Sequence, residues 1–437
     1  MGMRGEDIRE ARRARGWTVP VLIAALTAAA TEQGVGLMSA SSLRIAISRW
    51  ENGKVRPDEF HARLLSRVLA IPYGGDPLSQ GNTFQREVAD AIALLDDLAS
   101  LDDDTDGDLR ASPLTGIAGA QVVTGYLFGE SPDRIRSQPL FAVDVAQEIR
   151  STVSRIKAQD FQRGGGHVYR ALVQFFRSDV IPHLHAVHPG QARREIFAAA
   201  AETVQLLGWS SYDTGRHAAA SRYFVQALRL AQEAGDRLLG AQMLANLSHQ
   251  ANFLGHFDDA LMYARAARTA LHRCGSAAVE TMCVMMEARA LSSLSDRSGA
   301  VAAILRAEQL IESRRADEPV WIAYYDHAEL AGDTAHCFRD LGMPAEAARC
   351  LEVAILDTTP ARTAAFLGIV ASQVALLAGD LDAASNLATT AVRQATGLRS
   401  ARFAHYVNDF RQRLPRGADH TSQFDEFHDG TRRYHPT

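Results

Sequence analysis

The sequence predicts an all-α chain: a small helical unit at the N-terminus followed by a long stack of helical hairpins. Three observations carry that prediction. Alanine and leucine dominate a composition that is 47% hydrophobic and only 7% aromatic, which favours helix over sheet. Apolar residues recur at helical spacing, as in Val88, Ile92, Leu95 and Leu98. A Gly-x-x-x-x-Ala register also returns several times along the second half of the chain. The 437 residues leave room for two or three domains, or for one small domain and a repeat array.

Residues 6–71 read as one helical unit. Glu6–Arg15 is a first helix ended by Gly16, and Thr18 caps a second helix that tolerates Pro20 in its first turn. That second helix is expected to reach Gln33, before Gly34 and Gly36. Ser41 or Ser42 caps a third helix running to Glu51, and Asn52-Gly53 ends it in a turn. Pro57-Asp58 opens a further helix through Leu69. Next come a helix over Phe84–Leu101, an acidic linker over Asp102–Arg110, a Gly- and Pro-containing stretch over Ser112–Pro139, and a helix over Phe141–Phe161 broken by Gly164-Gly165-Gly166. From Val168 to Leu414 the pattern is helix after helix, and the polar segment from Pro415 is expected to fray.

The repeat register appears as Gly215…Ala220, Gly255…Ala260, Gly342…Ala347 and Gly379…Ala384, with Ser295…Ala300 filling the same register without glycine. The spacings are 40, 40, 47 and 37 residues. Each unit reads as a helix, a tight turn at the glycine and a second helix whose small alanine lets the pair approach closely.

The most specific local signal is Ile47-Ser48-Arg49-Trp50-Glu51-Asn52-Gly53-Lys54-Val55-Arg56-Pro57. On a helix starting near Ser42, Leu43, Ile47 and Trp50 fall on one buried stripe, leaving Arg44, Ile45, Ser48 and Arg49 outward. Outward side chains of such a helix reach base edges in a DNA major groove. Arg44 and Arg49 suit guanine, Ile45 a thymine methyl, and Ser48 a base or phosphate. The N–H groups of Asn52 and Gly53, with Lys54 and Arg56, are expected to hold phosphates.

This run resembles the Xre family of phage-repressor-like helix-turn-helix domains, in which I-S-x-W-E-x-G-x-x-x-P spans the end of the recognition helix and the following loop. Arg9, Arg12, Trp17, Leu22 and Leu26 stand where the family's first two helices need them. The chain departs from the pattern in two places. Val19 stands where a phosphate-binding Gln is usual, and about fourteen extra residues separate Leu26 from the recognition helix, lengthening helix two. Gly208-Trp209-x-x-Tyr212-Asp213-x-Gly215-Arg216-His217 and Arg222-Tyr223-Phe224-x-Gln226-Ala227-Leu228 resemble the C-terminal region of actinobacterial Xre regulators. More distantly, the layout is similar to peptide-responsive quorum-sensing regulators with tetratricopeptide domains.

The resemblance implies four segments: 1–75 a helix-turn-helix DNA-binding domain, 76–140 a linker helix and irregular linker, 141–414 a tetratricopeptide-like α-solenoid, and 415–437 a flexible tail. It implies a cytoplasmic transcription regulator binding a double-stranded DNA operator as a homodimer, with the repeats and the Phe141–Phe161 helix supplying the dimer contact. A peptide or small-molecule effector is the expected signal. The alternative is an adaptor whose array docks a partner regulator or enzyme.

Charge agrees with a DNA reader: residues 1–75 carry eleven Lys+Arg and seven Asp+Glu, a net +4, which leaves −9 for the remainder of a chain of net −5. A ligand groove on the inner helices is expected around Asn246, His249, Gln250 and Asn252, and again around Tyr324, Asp326 and His327 on a later inner helix, although hydrogen bonding between repeats explains the same residues. Other signals are weak. His183, His185 and His188 flank prolines without regular spacing, and Met282, Cys283, Met285 and Met286 read as core filling. The four cysteines form no CxxC pair and read as reduced thiols. No phosphate-binding loop, GxSxG or HExxH occurs, so neither an enzyme nor a cofactor is expected. The longest early apolar run, Val19–Ala30, is shorter than the roughly 20 residues a bilayer-spanning helix needs.

Overall fold

Helices, several of them ended by a glycine, make up the described part of the computed structural model. It describes residues 5–32, 40–52, 57, 61, 64–65, 68–69, 88–101, 113–128, 142–271, 274–356, 359–415 and 424–431. Among these there is no strand, and no helix is long and apolar enough to cross a membrane. The chain divides into two units, Met1–Gln80 and Gly81–Thr437.

The first unit holds α1 (Gly5–Ala14), α2 (Val19–Glu32) and α3 (Ala40–Glu51). Gly16 stops α1 with φ +66°, and the Trp17 N–H returns to the Arg12 carbonyl at 3.1 Å. Leu43, Ile47 and Trp50 of α3 are buried against Ile8 of α1 and Leu22, Ile23 and Leu26 of α2. Leu64, Leu65 and Leu69 close the same core. The stripe anticipated from sequence is therefore the face that α3 buries.

The second unit is an α-solenoid. Two helices of the segment expected as a linker belong to it: α4 (Val88–Leu101), where a helix was expected, and α5 (Gly116–Phe128), where an irregular stretch was. Ile92, Leu95 and Leu98 bury the inner face of α4, and Val122 and Tyr126 that of α5. The Gly116 N–H at the head of α5 donates to Asp259 Oδ2 at 2.9 Å. Apolar faces of this size dock wherever a matching face exists, which composition alone does not reveal. Next come α6 (Ala142–Arg163), a break at Gly164 with φ +83°, α7 (Gly165–Phe175), a π turn over Phe176–Val180 and α8 (Ile181–His185). The apolar face of α6, expected at a dimer contact, is spent inside the array, with Ala146, Ile149 and Val153 buried.

Five hairpins follow: α9 (Gly190–Asp213) with α10 (His217–Ala234), α11 (Arg237–Phe253) with α12 (Phe257–Ala270), α13 (Ala277–Ser293) with α14 (Arg297–Glu312), α15 (His327–Asp340) with α16 (Pro344–Ala354), and α17 (Ala361–Leu377) with α18 (Leu381–Gln394). α19 (Ala401–Arg413) and α20 (Asp425–Thr431) end the stack. The last of these corrects the expected frayed tail: Phe424 and Phe427 are fully buried, with Phe427 5.3 Å from the Phe410 ring centroid.

All five register positions form one turn. Gly215, Gly255, Gly342 and Gly379 have φ between +67° and +85°, and the residue after each donates back to the carbonyl five positions earlier. Ala220, Ala260, Ala300, Ala347 and Ala384 are fully buried where the paired helices meet. The odd spacing of 47 is taken up by the long connection Ser313–Asp326, which carries a 3-10 turn over Val320–Ile322.

Ser295 is the one non-glycine residue with positive φ among the described residues, at +62°. A left-handed side-chain residue costs roughly 1–2 kcal/mol, against roughly 0.5–1 kcal/mol of extra chain entropy for glycine. Ser295→Gly is therefore expected to stabilise the array by about 0.5–1 kcal/mol in urea denaturation. A loss of stability would show that the serine makes up for its strain.

Candidate DNA-reading helix and array cavity

In the first unit, the face of α3 opposite the core carries Arg44, Ile45, Ser48 and Arg49, all exposed. Ile45 leaves 59% of its surface to solvent, a large apolar side chain with no core to join. Neither Arg44 nor Arg49 makes a hydrogen bond or ion pair with a described residue, so both guanidinium forks are available to a ligand.

A second pair of arginines braces the helix from behind. Arg12 reaches from α1 to Glu51 with Nε–Oε1 2.6 Å and Nη2–Oε2 2.9 Å, and its Nη1 donates to the Trp17 carbonyl at 2.8 Å. The hydrogen bond to Glu51 raises the Arg12 pKa despite partial burial. Arg9 donates to the Glu51 carbonyl and, at 2.6 Å, to Asn52 Oδ1. Asn52 is thereby part of the brace. Its backbone N–H is directed at the Ser48 carbonyl at 3.3 Å and its side-chain amide at the same oxygen at 2.7 Å, so the phosphate contact expected of that N–H would compete with the end of the helix. Gly53, Lys54 and Arg56 lie outside the described residues.

In the second unit, the inner helices of the hairpins line a partly open cavity of about 550 Å³. Beside it the end of the array returns to its beginning. Asp213, the last residue of α9 and buried, accepts from Arg362 Nη2 of α17 at 2.7 Å and from Ser400 Oγ at 2.9 Å. Arg402 Nε of α19 stands 3.4 Å from the same carboxylate. The Arg402 guanidinium also lies over the rings of Trp209, Tyr212 and Phe366, 5.1, 5.2 and 4.6 Å from their centroids.

The residues expected to line a groove divide. Asn246 and His249 of α11 do face the cavity, and the His249 ring nitrogen Nδ1 is 3.1 Å from the Tyr212 hydroxyl. Gln250 does not: its amide donates to the His217 carbonyl at 2.7 Å, tying α11 to the start of α10. Asn252 is likewise off the wall. Tyr324 faces the cavity from the loop before α15 rather than from a helix. Asp326 is the cap of α15, accepting from the N–H groups of Ala328 and Glu329 at 2.9 and 3.0 Å. His327 points away to Glu312 at 3.1 Å and is corrected to an exposed residue outside the cavity.

Met282 and Met286 face the cavity, whereas Cys283 and Met285 fill the core as expected. His188 is held by its own turn, with Nε2 2.9 Å from the His183 carbonyl.

Sequence reasoning missed the charged residues of the wall. Arg289 of α13 pairs with Asp333 of α15 at 2.7 Å, and the Tyr325 hydroxyl donates to the other Asp333 oxygen at 2.7 Å. Lys157 of α6 donates to the Trp321 carbonyl at 3.4 Å and lies 5.0 Å from the Tyr324 ring centroid. Burial lowers the Lys157 pKa, opposed in part by Glu202 and Asp160. Burial holds His249 and His336 well below the usual histidine range, so both imidazoles are neutral at pH 7. Two carboxyls move the other way, chiefly through burial: Asp160 rises to about 6 and Glu329 to about 7. The only signal in the sequence was the presence of isolated charges within small apolar helical runs, such as Asp333 in Ala331-Gly332-Asp333-Thr334-Ala335.

Comparison with models of known protein families and with curated protein sequences returns no match for this chain.

Proposed function

We propose that the chain is a sequence-reading DNA-binding regulator, active as a homodimer in the cytoplasm, whose helical array senses a ligand held in its cavity. The observation that carries this reading is the outer face of α3: two exposed arginines with no ion pair among the described residues, an exposed isoleucine and a serine on a helix buried on its other side and braced by Arg12 and Arg9. This is the side-chain chemistry that major-groove recognition needs, held on a rigid element. Two such helices on half-sites about 34 Å apart would multiply a contact set too small for genomic specificity alone. The alternative reading is an adaptor whose array docks a partner regulator or enzyme.

The test is fluorescence anisotropy on the DNA upstream of the protein's own gene, and on fragments selected from genomic DNA, across a salt series. Wild type is expected to bind selected fragments with an affinity that falls steeply with salt. Losing both forks in Arg44→Ala/Arg49→Ala should weaken specific binding by ~100-fold, each bidentate pair contributing roughly 1–3 kcal/mol. Equal binding by wild type and double variant, or none in the selected pool, would leave the adaptor.

A further inference from the structure

We propose that the cavity of the array binds a small organic cation, an amine on a partly apolar skeleton, with its ammonium group paired to the carboxylates on its wall that have no ion pair among the described residues, Asp160 and Glu329. The inference deepens the regulator reading, on which it rests for what the ligand does to DNA binding.

The argument starts from the charges on the wall. Every cation there already has a partner. Arg289 sits on Asp333, Arg362 and Arg402 share Asp213, and Lys157 has the Trp321 carbonyl and the Tyr324 ring. An anionic ligand would have to displace a carboxylate to pair with any of the three arginines. The carboxyls of Asp160 and Glu329, by contrast, make no ion pair among the described residues. Asp160 is 98% buried by its 2% exposure, and its Oδ1 has no hydrogen-bond partner. A buried carboxylate without a counter-charge is costly, and such a group is either protonated or compensated by something that binds.

The charges around each carboxyl do not remove that need. Asp160 feels Arg362, Arg402 and Lys157 and the Ser210 hydroxyl against the like charge of Asp213. Glu329 feels Asp333 and Asp326 against Arg289 and Arg402. Both nonetheless titrate upward, to about 6 and about 7, the direction expected where burial outweighs the nearby cations. The neighbouring imidazoles of His249 and His336 are neutral and do not supply the cation.

The remaining wall describes the rest of the ligand. Asn246 is buried, and its Nδ2 has no hydrogen-bond partner, so it can donate to a ligand oxygen. Met282 and Met286 offer a deformable apolar surface, and a volume of about 550 Å³ suits a compact metabolite rather than a folded partner.

The experiment is equilibrium dialysis of the full chain against an equimolar set of primary and secondary amines on aliphatic and aromatic skeletons of different lengths. Each amine is paired with its N-acetyl amide and with the carboxylic acid on the same skeleton, and retention is read by mass spectrometry. Wild type is expected to retain at least one amine ~10-fold over its amide and its acid. Glu329→Gln and Asp160→Asn should each cut that retention ~10-fold while the melting temperature does not fall. Retention should also weaken as pH drops from 8 to 5, because protonation of the two carboxyls removes the charge that the ammonium needs. Preference for acids or amides, no retained amine, or equal retention by folded variants overturns the proposal. DNA binding by the same preparations is measured separately. Loss of amine binding with intact operator binding sinks the ligand alone, and the converse sinks the regulator reading alone.

Discussion

Asp213→Ala is expected to destabilise the array by about 3–5 kcal/mol in urea denaturation, the scale for breaking a buried ion pair. The side chain is 1% exposed and accepts from Arg362 and Ser400, while Arg402 stands close by. Removing it leaves two buried guanidinium groups without the carboxylate they share. These contacts join residues separated by 149 and 187 positions, so the loss falls on the closure between the first and last hairpins. Hydrogen exchange should accordingly rise first at the end of α9 and the start of α19. Replacing the cluster with apolar residues, as in Asp213→Leu/Arg362→Met/Arg402→Leu, should cost less than Asp213→Ala, because no charge is then stranded. A cost below about 1 kcal/mol for Asp213→Ala would mean that helix packing alone closes the ring.

Arg12→Ala is expected to abolish specific DNA binding even though Arg12 lies behind the reading face. It makes two hydrogen bonds to Glu51 and one to the Trp17 carbonyl from a side chain only 12% exposed, and the Glu51 side chain is 9% exposed. Truncation strands that carboxylate at the end of α3, at a cost of about 3 kcal/mol. A helical unit of this size holds only several kcal/mol in all, so most of its stability is at stake. The expected result is an early-melting first unit beside an array whose own transition does not move. Arg12→Lys keeps the charge without the fork and should fall between wild type and Arg12→Ala. Full DNA affinity in a folded Arg12→Ala protein would show that α3 is held by its apolar stripe alone.

Both effects depend on residues whose importance was unequally legible. Arg12 was placed in the sequence by its resemblance to a known helix-turn-helix pattern, but its bond to Glu51 joins α1 to α3 across 39 positions. Asp213 appeared only within a motif. Nothing along the chain connects it to Arg362 or Arg402, which stand on helices far further along the sequence. The same limit explains His327 and Gln250. At the level of pattern they resemble Asn246 and His249, and only the rotation of each helix decides which side chain meets the cavity.

The sequence by itself determined the all-α class, the repeat register and the buried stripe of α3. These are local properties. Helical periodicity and a left-handed turn before a small alanine act within a few residues, and even Ser295 in place of glycine keeps the turn at φ +62°. The tertiary structure alone decided that α4 and α5 join the array, that Phe424 and Phe427 bury a segment expected to fray, and that the first and last hairpins meet at Asp213. The first two outcomes come from apolar faces that find a matching face, and the third from how a small rotation between neighbouring hairpins accumulates along the stack. Accumulated far enough, it brings together carboxyls and arginines that no short-range pattern relates.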